Sequence, residues 1–367
     1  MIRDSVPAPV AQLPWRVILL VMGIAGFGLV VLYSAAGGSL KPWAWSQGIR
    51  FCAFLVMAIG LSRVREDLWK AAALPSYVAI LLALIVVEIF GFVGGGSQRW
   101  LDLGFIRLQP SEMMKLSIVL ILARFYDLLP AGEIRGWNAI WPALVLIGLP
   151  AALVLLQPDL GTATMIVAGG VTVTFLAGLP LRLYLGAGAA VLAAAPLAFA
   201  MMHEYQRNRV LIFLDPESDP LGTGYHISQS KIAIGSGGIF GKGFLNGTQS
   251  HLDYLPEGHT DFVFATMAEE WGLIGSVCLI VGFLLVVRWG LNVAMNARTK
   301  FGRLTAAGLS TTIFFYVAIN LMMVMGLAPV VGIPLPLFSF GGSAMMTVML
   351  CLGILMSIDR EQRRSDW

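Results

Sequence analysis

Charged residues are scarce in this sequence. Asp, Glu, Lys and Arg make up 12% of its 367 residues, whereas a soluble globular protein carries about 25%. Hydrophobic residues make up 57%, and the mean hydropathy is +0.81. A globular fold leaves a large share of its residues facing water, so a chain this apolar cannot hide its hydrocarbon in one water-soluble core. The composition therefore predicts a protein whose solvent is the lipid bilayer.

Cysteines and runs of basic residues are also scarce. Cys52, Cys278 and Cys351 lie inside apolar runs, which predicts small buried side chains rather than a disulfide framework or ligand cluster. The net charge is only +3 and no run of five or six basic residues occurs, which argues against nucleic-acid binding. The first apolar run starts after Trp15 without a small-residue cleavage site at its end, so we expect it to remain as the first helix.

Long apolar runs dominate the rest of the chain. A membrane-spanning helix needs about 20 apolar residues, and ten segments fit this template. They lie at 16–36, 45–62, 73–92, 110–129, 138–156, 160–179, 183–203, 262–287, 304–327 and 337–358. The sequence therefore predicts an all-α, polytopic integral membrane protein that forms one domain over 1–367. One long loop, 204–261, separates the seventh and eighth helices.

The basic residues predict the orientation of these spans. Ten spans put both termini on one side, and if that side is cytoplasmic it holds 15 of the 24 Lys and Arg residues, as the positive-inside rule requires. Each of the other nine could pair with an acid or extend to lipid headgroups. As a group on the extracytoplasmic side they indicate a site for an anionic ligand. They are Lys41, Arg50, Arg99, Arg107, Lys115, Arg207, Arg209, Lys231 and Lys242.

The 204–261 loop differs from the rest of the chain. It holds all four histidines and interleaves polar residues with aliphatic and aromatic ones, so we expect it to be ordered and functional. Its histidines lack the spacing of a zinc site. Its glycine run at 235–243, GSGGIFGKG, lacks the flanking Gly and Ser or Thr of a phosphate-binding loop. The run therefore predicts either flexible backbone near a ligand or tight packing of the loop.

Ionisable residues mark the starts of two spans. Glu112 and Lys115 follow Pro110, which suits the first turn of a helix, and their spacing of three puts them on one helix face. They predict an ion pair at the membrane edge, and the cost of charge in a membrane favours a functional role over simple anchoring. Asp159 lies in a very short connection, where it either caps the next helix or points toward a ligand.

The segment 250–270, SHLDYLPEGHTDFVFATMAEE, is the most informative part of the loop. It places Asp261 at the mouth of a helix that starts at Phe262. Apolar neighbours and restricted water there could raise the carboxyl pKa toward that of a useful base. Alternatively, Thr260 or Asp261 caps that helix. The residue types do not rank Glu269 and Glu270, which lie deeper.

Four stretches together carry a family resemblance. LQPSEMMK, QPDLGTA, the run from YQRNRV through GHTDFVFATMAEE, and PLPLFSFGGSAM resemble the SEDS proteins of bacterial cell-wall assembly, in order and over nearly the whole chain. The run GKGFLNGTQSHLDYLPE is more similar to the RodA (rod-shape) branch than to the division branch, FtsW.

The resemblance implies a ten-helix membrane fold and polymerisation of lipid II at the outer face of the bacterial cytoplasmic membrane. The family's essential aspartate falls on Asp261, which favours a catalytic role over a cap, with His259 and Thr260 beside it as substrate-binding candidates. The family's other motif residues fall on Glu112, Lys115 and Asp159. It also implies two kinds of partner: the growing lipid-linked glycan strand, and a class B penicillin-binding protein of the elongation machinery.

The expected reaction is an inverting glycosyl transfer in which Asp261 accepts the proton of the acceptor sugar's 4-hydroxyl and undecaprenyl pyrophosphate leaves. The candidates for stabilising the leaving pyrophosphate are Arg50, Arg99, Arg107, Lys115, Lys231 and Lys242. A divalent cation, Mg²⁺ or Mn²⁺, could share this charge, although no dense carboxylate cluster shows where. The lipid tails predict a groove between helices that is open to the membrane.

Two other classes of protein fit part of this pattern. A transporter or flippase for lipid-linked precursors would also have ten spans and charged residues within them, but its key charges should lie near the bilayer midplane. A scaffold would need only the fold and would tolerate loss of Asp261, because a lost cap costs only about 1 kcal/mol. Within the family, a division-specific polymerase of the FtsW type is the alternative.

Overall fold

A computed structural model describes residues 13–94, 97–102, 107–201, 207–208, 211–213, 215, 222–252, 254–255 and 257–364. The main helices are α1 (Trp15–Ala35), α2 (Trp43–Leu61), α3 (Glu66–Phe90), α4 (Pro110–Leu128), α5 (Trp137–Leu156), α6 (Leu160–Ala177), α7 (Leu181–Met201), α8 (Thr223–Gly237), α9 (Thr248–His251), α10 (Val263–Asn296), α11 (Lys300–Val324) and α12 (Gly342–Arg364). Each of the ten predicted spans coincides with one of them.

The prediction of an all-α polytopic membrane protein is confirmed. Within the described residues, eight helices are long and apolar enough to cross a membrane: α1, α2, α3, α5, α6, α10, α11 and α12. In α7 the apolar segment, Leu181–Leu197, is shorter than these eight. The remaining predicted span, α4, is a 19-residue helix with four charged residues, which the buried surroundings of that helix accommodate.

Several helix ends differ from the predicted ends, two of the following three because apolar character stops before the helix does. α3 begins at Glu66 rather than at 73, and its acidic first turn suits the positive end of the helix dipole. α10 continues to Asn296 rather than ending at 287. α12 begins at Gly342 rather than at 337, since 325–341 forms an irregular connection.

The centre of the bundle is formed by α4, α11 and α12, whose side chains are mostly buried, whereas α3 and α7 expose most of theirs. Small residues let the central helices approach closely. A β-carbon at Gly308 of α11, for example, would lie 2.6 Å from a methyl group of Val119 on α4. The apolar surface left outside is the surface that lipid covers.

Consecutive spans alternate in direction, so the connections 36–42, 91–109, 157–159, 202–262 and 325–341 emerge on one side of the bundle. We call this side the Asp261 face, and the other side the opposite face. A small antiparallel sheet, which the sequence did not predict, lies in the second of these connections. Its strands are β1 (Phe92–Gly94), β2 (Ser97–Asp102) and β3 (Arg107–Leu108), paired in that order.

The described part of the 204–261 loop is ordered, with α8 and α9 packed against the bundle, and its glycine run is explained by tight packing. Leu273 N donates to Gly238 O (2.9 Å) across a break in α10 at Gly272, where φ is +62°. A β-carbon at Gly241 would lie 2.0 Å from the backbone oxygen of Glu270. The run is therefore a contact between two backbones.

Candidate active site

Asp261 lies half-buried in the turn before α10. Phe262 occupies the N-cap position of that helix, so neither Thr260 nor Asp261 stands where a capping residue would. The Asn320 amide donates to the backbone oxygen of Asp261 (2.9 Å) and to that of Ile333 (2.7 Å). Gly332 lies beside the carboxylate, because a β-carbon there would be 3.5 Å from Asp261 Oδ2. Asn320 thus holds Asp261 against the 325–341 connection.

His259 lies in an aromatic setting on the same turn. Its ring stacks on Trp43, with centroids 4.0 Å apart and planes 10° from parallel, and Phe340 N donates to His259 O (2.9 Å). Burial lowers the pKa of His259 below its ordinary value, against the opposing effect of the Glu257 charge. Thr260 Oγ1 donates to the Glu257 carboxylate (2.6 Å). The two residues immediately before the aspartate are therefore fixed by their own contacts.

Arg50 reaches the same region from α2. Its guanidinium carbon lies 5.0 Å from the centre of the Phe340 ring, a cation–π contact that leaves its N–H groups available. Gln47, one turn earlier, donates to Ser339 O (2.6 Å) and accepts from Gly341 N (3.3 Å). The inner face of α2 therefore holds the 325–341 connection and presents a cation beside it.

Asp159 is the N-cap of α6. Its carboxylate accepts from Thr162 N (3.0 Å), Thr162 Oγ1 (3.0 Å) and Gln109 Nε2 (3.3 Å), and Arg99 Nη1 lies 3.7 Å away. Arg99 also donates to Gln157 O at 3.0 Å. Of the two alternatives for Asp159, the geometry displays capping, and Arg99 is occupied with the same short connection.

The start of α6 nevertheless lies close to the Asp261 turn. A β-carbon at Gly161 would be 2.9 Å from Val331 O and 3.3 Å from the Ile333 side chain. Ile333 is the residue whose backbone oxygen shares the Asn320 amide with Asp261. The QPD and HTDF motifs, about 100 residues apart in the sequence, thus meet through the 325–341 connection.

Glu112 and Lys115 form an ion pair, as predicted, but the pair is enclosed by the bundle rather than placed at an exposed edge. Lys115 Nζ lies 2.5 Å from Glu112 Oε1, and the side chains are only 1% and 7% exposed. Tyr316 OH donates to the other Glu112 oxygen, and Lys115 Nζ lies 4.2 Å from the centre of the Tyr316 ring. Tyr316 and Asn320 lie four residues apart on α11, so one helix face contacts both this pair and the Asp261 turn.

Lys242 is also paired. Its Nζ lies 2.6 Å from Glu269 Oε1 and 2.7 Å from Thr248 Oγ1, and Glu269 is fully buried. Glu270, the neighbouring acid that the sequence could not rank, accepts from Ser34 Oγ. Glu269 therefore joins the loop to α10, and Glu270 joins α1 to α10.

Lys231 and Arg107 complete the predicted cations. Lys231 is exposed on α8 over Gly326 and makes no ion pair with any residue that the structure describes. Arg107 pairs through its backbone with Asp102 in the β2–β3 ladder, and its side chain lies outside the described part of the chain.

Sequence reasoning did not single out Asn320, Tyr316, Trp43 or Phe340. A signal for two of them was present, because Tyr316 and Asn320 are polar residues with helical spacing inside an otherwise apolar span. Trp43 and Phe340 carried no comparable signal, since aromatic residues are common in membrane spans.

The described residues hold no group of three or more His, Cys, Asp or Glu side chains that could bind a metal ion. They therefore do not supply a fitting protein site for the divalent cation, and Mg²⁺ or Mn²⁺ stays a prediction from the sequence.

Comparison with known proteins identifies the family. The family model for FtsW, RodA and SpoVE, described as "Cell cycle protein", matches residues 14–364. The chain belongs to this family. Among relatives of this FtsW/RodA/SpoVE member, the peptidoglycan glycosyltransferase MrdB of Escherichia coli K12 is 44% identical over 349 residues, which cover 94% of this chain and 93% of MrdB.

Solved structures agree. One chain of a peptidoglycan synthase complex that coordinates polymerization and crosslinking superposes with a TM-score of 0.83 at 32% identity, covering 95% of this chain and 98% of that one. The rod shape determining protein RodA of Thermus thermophilus superposes with a TM-score of 0.72 at 30% identity, covering 95% and 97%. The predicted resemblance to the RodA branch is confirmed.

Proposed function

We propose that this chain polymerises lipid II, with Asp261 as the catalytic base. As a family member with MrdB and RodA relatives of this similarity, the chain is a RodA-type peptidoglycan glycosyltransferase. The observation that carries the assignment of Asp261 is its placement: it stands outside the capping position and is held by a fully buried amide, Asn320, at the meeting point of the QPD and HTDF motifs.

In the proposed reaction, Asp261 removes the proton from the acceptor sugar's 4-hydroxyl. That oxygen attacks the anomeric carbon of the lipid-linked strand with inversion, and the bond to undecaprenyl pyrophosphate breaks. A positioned base contributes about 10² to 10⁴-fold. The rest must come from orientation of the two substrates and from stabilisation of charge on the leaving pyrophosphate.

Contacts rank five of the six predicted cations for that electrostatic role, since the side chain of Arg107 lies outside the described part of the chain. Lys115 and Lys242 are each neutralised by a buried carboxylate, and Arg99 is tied to the Asp159 connection. Arg50 and Lys231 have no carboxylate partner among the described residues. Arg50 lies beside the Asp261 turn through Phe340, so it is our first candidate for contacting the pyrophosphate.

The proposal includes location and partner. With both termini in the cytoplasm, the positive-inside count puts the Asp261 face on the extracytoplasmic side of the bacterial inner membrane, where lipid-linked precursors are joined into strands. A class B penicillin-binding protein is the proposed partner, supported by the likeness to a chain of a complex that couples polymerization to crosslinking. Its transpeptidase would crosslink the strands made here within the elongation machinery.

The transporter alternative has less support. Its key charges would be Glu112, Lys115 and Asp159, and each of these is engaged within the bundle, Glu112 and Lys115 with each other and Asp159 as a helix cap. Charges that are already paired leave little capacity to bind and release a substrate headgroup. A scaffold does not require the exposed cations on the Asp261 face.

The test uses the purified chain with its penicillin-binding partner, the transpeptidase blocked, and measures glycan polymer formed from lipid II. We expect wild type to polymerise and Asp261→Asn to lose at least about 10²-fold, at matched folding and partner binding. Glu88→Gln is the matched control, because it removes an exposed carboxylate at the same face on the end of α3.

Equal polymerisation by wild type and Asp261→Asn would show that the base is misassigned. If wild type bound to its partner made no polymer, the proposed activity would be wrong, and a transporter or scaffold would be favoured. A loss in Glu88→Gln as large as in Asp261→Asn would show that general charge on this face, rather than a base, is being measured.

A further inference from the structure

Glu257 has an unusual backbone conformation four residues before Asp261. Its φ is +55°, in the left-handed region that favours glycine. A glutamate in this conformation is strained, and strain of this kind persists only where the surrounding structure holds it. A glutamate at a position that glycine would fill without strain indicates that its side chain contributes something glycine lacks.

The backbone oxygen of Glu257 holds the chain before and after Asp261. It accepts from Thr260 N at 3.0 Å and from Phe262 N at 3.3 Å, so the two residues that flank the aspartate donate to one atom. The turn is also attached to α10, because Thr266 Oγ1 donates to Gly258 O at 3.0 Å in a buried contact. Asp261 therefore lies in a closed turn whose shape depends on the direction of the Glu257 carbonyl.

The side chain of Glu257 closes the same turn a second time. Its carboxylate accepts from Thr260 Oγ1 at 2.6 Å, a distance typical of a charge-assisted bond between a hydroxyl and a carboxylate. Glu257 is exposed and makes no ion pair with the residues that the structure describes, so the Thr260 hydroxyl is the partner of this charge. The bond fixes the residue immediately before Asp261, which a glycine at position 257 would leave without it.

We propose that Glu257 is a positioning residue for the glycosyl transfer, which holds the Asp261 carboxylate in the orientation that accepts the proton of the acceptor sugar. It acts through the turn and through Thr260, while Asn320 holds the backbone oxygen of Asp261 from α11. A residue that acts in this way changes kcat rather than KM, because it makes no contact with substrate. The proposal rests on the proposed function, in that Asp261 is the base.

Three substitutions of Glu257 separate strain, hydrogen bond and charge. Initial rates over a range of lipid II, measured in the complex with the penicillin-binding partner, give kcat and KM. Glu257→Gly and Glu257→Ala should each lower kcat by about tenfold to a hundredfold with little change in KM. Glu257→Gly should unfold at a temperature no lower than wild type, because the backbone strain is relieved. Glu257→Gln keeps an oxygen that can accept from Thr260 and should retain most of the activity.

Leu245→Gly is the matched control for the backbone. Leu245 is also a left-handed residue of the 204–261 loop, with φ at +63°, and its side chain lies beside Gly38 rather than in the Asp261 turn. The substitution relieves the same kind of strain and should leave kcat per folded molecule unchanged. A loss of kcat as large as in Glu257→Gly would show that the measurement reports general flexibility of the loop, and would overturn the proposal.

A double-mutant cycle with Thr260→Val tests whether Glu257 acts through Thr260. Valine keeps the shape of threonine and removes the hydroxyl, so Glu257→Ala combined with Thr260→Val should lose little more activity than the larger single loss. Losses that multiply would contradict this path. If Glu257→Gln were as impaired as Glu257→Ala and its KM were raised, the charge itself would contact substrate, and the positioning role would be wrong.

Amide hydrogen exchange of residues 257–266, measured by mass spectrometry, gives a readout that needs no activity. Exchange should be faster in Glu257→Gly and Glu257→Ala than in wild type, and equal rates would overturn the hold on the turn. Faster exchange with unchanged kcat, in a chain that polymerises, would overturn the positioning role and leave the enzyme assignment intact. Faster exchange in the variants of a chain that makes no polymer would support the hold on the turn and overturn the proposed activity.

Discussion

Some cations on the two faces of this bundle are used in different ways. On the opposite face, cations hold helix ends together: Arg124 donates to Lys70 O (3.0 Å) and Ala71 O (3.1 Å), and Lys300 donates to Tyr126 O (2.5 Å). On the Asp261 face, Arg50 lies over an aromatic ring, while Lys41 and Lys231 have no ion pair within the described residues. A cation that is hydrogen-bonded or paired within the fold maintains structure. A cation that has no ion pair in the described residues is available to a ligand.

Lys115 and Lys242 show that a lysine on the Asp261 face is not always available to a ligand. Both are neutralised by buried carboxylates, Glu112 and Glu269. Removing one member of such a pair leaves a buried charge without compensation, so a loss of activity after mutation of either lysine would not identify a ligand contact. The comparison therefore has to be tested with activity and stability measured together.

The largest expected effect concerns the part of the Asp261 face that is purely structural. Gly241→Ala places a β-carbon 2.0 Å from Glu270 O at a φ of +82°, and should cost at least about 3 kcal/mol of stability. Thermal unfolding of the purified chain measures this. Gly235→Ala, in the same glycine run with open space around it, should be close to neutral, and equal unfolding temperatures for the two would contradict the backbone contact.

Arg50→Met should separate ligand charge from structural charge. If Arg50 stabilises the leaving pyrophosphate, polymerisation should fall by about 10²-fold, as for other groups that stabilise transition-state charge. The unfolding temperature should stay near that of wild type, because Arg50 has no carboxylate partner in the described structure. Full activity in this variant would move the role to another cation, with Lys231 next.

Asn320→Leu tests a positioning residue. The substitution keeps the side-chain size but removes the donor that joins Asp261 O to Ile333 O, so kcat should fall about tenfold to thirtyfold while KM changes little. Initial rates over a range of lipid II supply both constants. Asn292→Leu, at an exposed position of α10, is the control, and a parallel rise in KM would point to general damage instead.

Arg124→Met should give the reverse of Arg50→Met. Loss of two charge-assisted hydrogen bonds to helix α3 should lower stability by about 1 kcal/mol, and activity per folded molecule should not change. A loss of activity per folded molecule in Arg124→Met would contradict the distinction between the two faces.

The smallest effect concerns pH. Because the folded-state pKa of His259 is lowered, its neutral form favours folding above the unfolded pKa of about 6.5, and that contribution is lost as pH falls toward the folded pKa. His259→Gln should therefore flatten the decline of unfolding temperature between pH 7.5 and 5.5. An identical decline in wild type and variant would show that other groups cause it.

The sequence predicted the spans well because each needs a long apolar run, which is a local property. Helix ends were missed where polar turns continue the helix, as at Glu66 and Asn296. The Glu112–Lys115 pair was predictable because both residues lie on one helix. The partner of Lys242 was not, because Glu269 is 27 residues away and reaches it only through the packing of the glycine run on α10.

In the candidate site, too, local features were predictable and long-range partners were not. The motif placed Asp261 correctly at the start of α10, yet its support by Asn320 depends on how α11 packs, which no local pattern contains. Asp159 could be weighed only as cap or ligand until Thr162, Gln109 and Arg99 were seen around it. Long-range partners are set by tertiary structure, and a single sequence does not specify them.

The contact at Gly237, Gly241 and Gly272 also affects how homologues should be interpreted. At each position a β-carbon would lie within 2.4 Å of another backbone atom, so any descendant that keeps this loop against α10 is restricted to glycine. Across an alignment these three columns should vary as little as the aspartate column, although none of them touches substrate. Invariance alone would then misidentify part of a structural joint as catalytic machinery, and only tolerance to substitution in folded, active protein would tell the two apart.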